Sequence, residues 1–157
     1  MLTCDKNSNM NKNHTSRQKS DRIYSGFLKW REKLLNLQDA VIVVEGKRDA
    51  EVLFEIGIKQ NSSVDIIQYS QISQIEFNEI IQVRFKDRKI IPFVDFDRKG
   101  EEYLSELKKF KHCELELRHN LYSLTNGRLR EFENLLFYLK KSLNPSYIQT
   151  LYQLLYS

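Results

Sequence analysis

Val41-Ile42-Val43-Val44-Glu45-Gly46-Lys47-Arg48-Asp49 is the stretch whose reading decides the fold. Its first four residues are all apolar and β-branched, without alternation, which is the pattern of a strand buried on both faces. The run ends on a carboxylate and a glycine. A helix is then expected from about Lys47 to Ile56, with Ala50, Leu53 and Ile56 inward and Gly57 capping it in the left-handed conformation. A strand handed directly to a helix is one βα step, the unit from which parallel sheets are built.

Downstream the step repeats. Val64 to Ile67 is a second apolar run, and Ile72, Ile75, Ile80 and Val83 suggest a helix after it. Lys89 to Val94 reads as a third strand, although Pro92 cannot donate to a sheet ladder. Tyr103, Leu104, Leu107 and Phe110 mark the next helix. Cys113, Leu115 and Leu117 alternate with Glu114, Glu116 and Arg118, which reads as a half-exposed fourth strand. Leu129, Phe132, Leu136 and Leu139 make a late helix, and Asn144-Pro145 opens a final one with Ile148, Leu151, Tyr152 and Leu155. Upstream, Ser20 reads as the N-cap of an amphipathic helix reaching about Leu37, with Ile23, Phe27, Trp30, Leu34 and Leu37 on one face. Residues 1–18, rich in Asn, Lys and Ser, have little apolar surface to bury and are expected to be disordered. The expected fold is therefore α/β: a parallel sheet of about four strands (39–119) with helices on both faces, preceded by one helix (19–38). A helical extension (120–157) of two helices packs on it.

Composition narrows the class. At 157 residues one core is expected, and disulfide staples are unnecessary. Two cysteines, Cys4 and Cys113, have no zinc-site spacing and fit a reducing cytoplasm. No apolar run approaches the roughly 18 residues of a membrane span, and Met1 to Lys19 lacks a signal peptide's apolar stretch, so neither secretion nor membrane insertion is expected. The net charge is +4, and residues 1–40 carry all of it, with eight basic groups against four acidic; the rest balances at 17 against 17. A positive extension is compatible with nucleic-acid phosphates.

In open parallel sheets, functional groups gather beyond the carboxyl ends of the strands. Glu45 ends the first strand; Asp95 and Asp97 follow the third, two residues apart and able to project to one side of an extended backbone. Gly46 and Gly100 flank these acids and permit a sharp turn and a ligand's close approach. Crowded carboxylates repel, and a hard divalent cation such as Mg2+, held by one or two carboxylates, several waters and a phosphate, relieves the repulsion. Helix capping is the other reading, a role Asp97 suits for the helix near Gly100.

Val41-Ile-Val-Val-Glu45-Gly-Lys-Arg-Asp49 and Ile91-Pro-Phe-Val-Asp95-Phe-Asp97-Arg-Lys-Gly100 resemble the two motifs of the Toprim domain of topoisomerases, bacterial-type primases, OLD-family nucleases and ribosomal RNA maturases, in order and in separation. The resemblance covers roughly residues 40–118. Leu117-Arg118 through Arg130-Glu131-Phe132-Glu133 further resembles the small stand-alone Toprim proteins of archaea. It implies that Glu45 is the general acid or base on a ribose or deoxyribose oxygen, and that Asp95 and Asp97 hold Mg2+, or Mn2+, against the phosphate, with all three acids around the metal. Some relatives have a third acid two positions on, where this chain has Lys99. Lys47, Arg48, Arg98, Lys99 and Arg118, the last at the end of the expected fourth strand, are candidates for contacting the phosphates of RNA or DNA.

Other motifs carry less. Gly46-Lys47 lacks the upstream glycine and following Ser or Thr of a P-loop. The aspartate pair of haloacid-dehalogenase-type phosphatases opens the domain after the first strand, unlike Asp95-Phe-Asp97. Arg84, Lys86, Arg88 and Lys89 read first as a solvated helix end and second as a nucleic-acid track. His14, His112 and His119 form no ligand spacing. A topoisomerase or primase needs further domains, which leaves a small Mg2+-dependent nuclease or phosphotransferase, or a non-catalytic nucleic-acid-binding or assembly module.

Overall fold

The computed structural model describes the backbone of residues 5–157 and the side chains of residues 15–157. Strand β1 (Ala40–Val44) is buried at every position. It pairs in parallel with β2 (Val64–Gln68) on one side and β3 (Lys89–Pro92) on the other, giving the order β2-β1-β3. The central place of β1 explains its unbroken apolar run. Ala40, Ile42 and Val44 enter one core while Val41 and Val43 enter a second on the opposite face.

Helix α2 (Lys47–Glu55) leads from β1 to β2, and α3 (Gln74–Glu79), continued by a π-helical turn at Ile80–Arg84, leads from β2 back past β1 to β3. The two connections step in opposite directions across the sheet, so crossovers of the same hand must lie on opposite faces. Leu53 and Ile56 accordingly join the core of Ile42 and Val44, and Phe77 and Ile81 join that of Val41 and Val43. Gly57 has a φ of +93°, the left-handed conformation expected after α2. The inward positions of α3 differ from expectation: Ile75 and Val83 are 73% and 82% exposed. Ser73 caps α3, accepting from the Glu76 amide at 3.1 Å, and Phe77 in α3 and Ile81 in the π turn, four residues apart, are the buried positions.

Pro92 is tolerated because β3 lies at the edge. Ile90 directs both its amide and its carbonyl outward, to His112 O and from Glu114 N, each at 2.9 Å, and the Phe93 amide points inward to Val43 O at 2.7 Å. Position 92 thus turns its missing donor to the open side.

The expected fourth strand does not form; the sheet has three strands. Cys113 contributes a single parallel bridge to Ile90, and the chain then enters α5 (Glu116–Leu124). Leu117 fits both a strand alternation and a helical series with Leu121 and Leu124. The helical series wins because all three leucines become buried in the core that contains α1's Phe27 and Trp30. Helix α4 (Arg98–Leu107) precedes this segment. Downstream of it come a 3-10 turn at Phe132–Asn134, α6 (Leu135–Ser142) and α7 (Pro145–Tyr156), the last capped by Asn144, whose side chain accepts from the Tyr147 amide. Three helices therefore follow the sheet domain instead of two.

Helix α1 runs Asp5–Leu35, so residues 5–18 are helical where disorder was expected; residues 1–4 lie outside the described residues. Once Ile23, Phe27, Trp30 and Leu34 are docked, extending the helix upstream needs no new nucleus. Ser20 is correspondingly not a cap. It is buried in mid-helix, where its hydroxyl accepts from the Asn144 amide at 2.7 Å and ties α1 to the start of α7. No helix among the described residues is long and apolar enough to cross a membrane.

Candidate metal centre

With the order β2-β1-β3, the chain leaves β1 toward one edge and returns to β3 on the other side. The crevice between the carboxyl ends of β1 and β3 is therefore the topological switch point. Glu45 leaves the end of β1, while Asp95 and Asp97 lie just past β3. Each of the three is half-buried. One ligand oxygen from each lies within 4.8 Å of the others.

Each carboxylate is held by a backbone amide. Glu45 Oε1 accepts from Asp95 N at 3.2 Å, Asp95 Oδ1 from Phe132 N at 2.8 Å, and Asp97 Oδ1 from Gly100 N at 2.8 Å. The Asp97 bond is an N-cap of α4, so the capping and metal readings are compatible: one oxygen caps, and a second remains on the carboxyl group. Beneath Asp95, Phe93 is fixed edge-on to Trp30 (ring centroids 5.6 Å apart) and stacked on Phe132 (5.2 Å). The aromatic stack thus positions both the acid and the amide that binds it.

The electrostatics report crowding. Glu45 is raised from 4.5 to about 7, first by burial and then by the negative charge of Asp95, with Asp97 adding to it. Asp95 is also raised, chiefly by burial, against the pull of the Phe132 amide. In such a group one proton is easily retained, and a divalent cation would replace it. All donors are oxygen and the crevice is open to solvent, which suits a hydrated hard cation of the Mg2+ type held by few carboxylates. The residues present fit that ion.

A UPF0292 protein of Methanocaldococcus jannaschii is 30% identical to this chain over 129 residues, covering 78% of this chain and 97% of that protein. The chain belongs to the UPF0292 family. No family model matches it, and no solved structure does.

In this UPF0292 chain the predicted basic residues divide into two kinds. Lys47 and Arg48 open α2, and Arg98 and Lys99 open α4; all four side chains are exposed beside the acids. Arg48 lies 3.9 Å from Glu133, Arg98 lies 3.6 Å from Glu102, and Lys99 sits over the Tyr103 ring at 5.7 Å. Arg118 is different, and its expected role as a phosphate contact is corrected. It lies on α5, only 5% exposed, and its guanidinium donates to Val94 O (3.2 Å), Asp95 O (2.8 Å) and Glu101 Oε1 (2.9 Å) over the face of Phe96. Its donors are occupied in holding the backbone from which Asp95 projects, so it is a positioning residue.

The two glycines also part company. A Cβ on Gly100 would stand 1.9 Å from the Asp95 carbonyl oxygen, so only glycine lets α4 start against the end of the strand. Gly46 has an extended backbone (φ −145°) and its Cβ would meet nothing closer than Ser70 Oγ at 3.9 Å, so the fold does not demand glycine there.

Asp49, the last residue of the first motif, adds a fourth acid beside the site, a buried one. It is 6% exposed, accepts from the Gly46 amide at 3.0 Å, and is raised to about 6, first by burial and then, against that amide, by the charges of Asp95 and Glu133. The signal available in the sequence was its place three residues beyond Gly46, the capping-box position.

Proposed function

We propose that this protein is a Toprim-type enzyme acting on nucleic-acid phosphodiesters, a Mg2+-dependent nuclease or phosphotransferase on RNA or DNA that works in the cytoplasm. The observation that carries this reading is the convergence of Glu45, Asp95 and Asp97 at the β1/β3 switch point. The order and separation of the two motifs, one ending β1 and the other following β3, support the Toprim assignment.

A divalent cation bound to these carboxylates would offset charge on the phosphoryl oxygens of a substrate. Glu45, raised to about 7, is able to hold or release a proton near neutral pH, as a general acid or base at a sugar oxygen must. Asp95 and Asp97 present their carboxylates from positions fixed by the Phe132 and Gly100 amides. Lys47, Arg48, Arg98 and Lys99, at the positive ends of α2 and α4, attract the phosphate.

The second reading, a non-catalytic nucleic-acid-binding or assembly module with a retained metal site, is favoured by Lys99, which stands where some Toprim relatives have a third acid. Cleavage of single- and double-stranded RNA and DNA with Mg2+ or Mn2+ separates the two readings. The parent should cleave; Glu45→Gln should lose activity by about 100-fold or more, the scale of one general acid or base, and Asp95→Asn should lose its metal-dependent activity with a ligand of the cation. Retained binding without metal-dependent cleavage by the parent would sink the enzyme reading.

A further inference from the structure

Lys19 of α1, Arg128 and Arg130 of the α5–α6 connection, and Lys141 of α6 line one cleft of about 590 Å³. All four are exposed, and among the described residues none is engaged in an ion pair or a side-chain hydrogen bond. Like charges gathered without partners repel one another, and an extended polyanion offsets that cost. The backbone that lines the cleft is anchored to the metal centre: Arg130 O accepts from Phe96 N at 2.7 Å, and Phe132 N donates to Asp95 Oδ1. The other basic cluster offers no comparable track. Arg88 is consumed by Asp65 (2.7 Å) and by the carbonyls of Ala40 and Ser63, and Lys89 opens β3 at the opposite end of the sheet from Asp95.

The cleft's other residues narrow the ligand. Asn134, Phe137, Tyr138 and Lys141 recur at helical spacing just before and along α6, and Phe137 is 67% exposed, an apolar ring on which a base can stack. Bases paired within a duplex do not offer their faces in this way. Glu131 is the one acid in the cleft, with Asn134 Nδ2 3.3 Å from its carboxylate. Asn134 satisfies Oε2 of that carboxylate, which leaves its other oxygen to accept from the ligand beside the phosphate chain, and the ribose 2′-hydroxyl is the donor that RNA has and DNA lacks.

We propose that this cleft binds a single-stranded RNA segment, with Arg128, Arg130, Lys141 and Lys19 on its phosphates and Phe137 under a base, and delivers the strand to the metal centre. The proposal rests on the reading of that centre as a phosphodiester site. The test is fluorescence anisotropy of a fluorescein-labelled 12-nucleotide single-stranded RNA with the full chain in EDTA, across a salt series. Arg128→Gln with Lys141→Gln should weaken binding at least 10-fold and flatten the salt slope by about 1.4, the loss of two single-strand phosphate contacts. Phe137→Ala should cost about fivefold or more. The charge-conserving pair Arg128→Lys with Lys141→Arg should stay within threefold of the parent. Parent-like affinity and salt slope in the glutamine pair overturn the cleft; equal affinity for DNA of the same sequence, or for the RNA duplex, overturns its assignment to single-stranded RNA. The enzyme reading fails separately: cleft-dependent binding without Mg2+-dependent cleavage leaves the cleft standing, and cleavage with cleft-independent binding removes the cleft alone.

Discussion

At the scale of single residues, the site depends on where carboxylates and glycines meet backbone. Gly100→Ala drives a methyl group into the Asp95 carbonyl, and overpacking of this kind costs roughly 1–3 kcal/mol. Thermal melts should show the midpoint falling by several degrees, with weaker stabilisation by Mg2+ because Asp95 is displaced. Gly46→Ala has room for its methyl group and should melt within about 1 °C of the parent. The pH dependence follows from Glu45 and Asp49, both raised above their unfolded values of 4.5 and 3.8. A group whose folded value is raised stabilises the fold fully below its unfolded value and loses that contribution as pH rises through the folded one. The metal-free protein should therefore become less stable between about pH 4 and pH 7, with Asp49 acting up to about 6 and Glu45 up to about 7. Added Mg2+ should stabilise more at pH 8 than at pH 6, because it competes with the proton. Melting the parent and Glu45→Gln in EDTA over this range checks the idea; an equally steep slope in the variant would mean that Glu45 does not carry the effect.

At the scale of elements, the site is supported from behind by helices that lie far from it in sequence. Trp30 of α1 donates its indole N–H to Leu117 O of α5 at 2.9 Å and packs its edge on Phe93, two residues before Asp95. Trp30→Phe keeps an aromatic ring but removes the indole donor from Leu117 O, a carbonyl that also accepts within α5, so denaturant unfolding should report a loss of roughly 0.5–1.5 kcal/mol, the worth of one hydrogen bond. A variant as stable as the parent would show that water replaces the indole. The same elements explain which expectations failed. Isolated alternation at Cys113, Leu115 and Leu117 was a sound strand signal locally. Whether Leu117 belongs to a strand or a helix was decided by the apolar face of α1 waiting on that side, which burial of Leu121 and Leu124 completes. On α3 and its π turn the expected series divides: Ile72 and Ile80 pack against the second core, whereas Ile75 and Val83 face solvent and Phe77 and Ile81 take the buried places.

At the scale of the whole molecule, charge and chemistry are separated along the chain. The net charge of +4 is carried by residues 1–40, whereas the acids sit at the ends of β1 and β3. Removing residues 1–18 should weaken salt-sensitive nucleic-acid binding while leaving the Mg2+-induced rise in melting temperature unchanged; an unaltered salt slope after truncation would show that the charged segment contributes nothing to binding. The sequence alone determined the three βα steps and the acids that end two of the strands, because strand burial and helix phase are written in local apolar patterns. It also determined that Gly57 would turn left-handed after α2. Only the tertiary structure decided that Glu45, 50 residues from Asp95, shares one crevice with it, since strand order is set by crossover packing and not by chain order. It likewise decided that Arg118 supports the site from beneath and that Arg128, Arg130, Lys141 and Lys19 face one cleft. A basic residue looks the same in sequence whether its donors end on backbone carbonyls or in solvent, and only the packing around it fixes which.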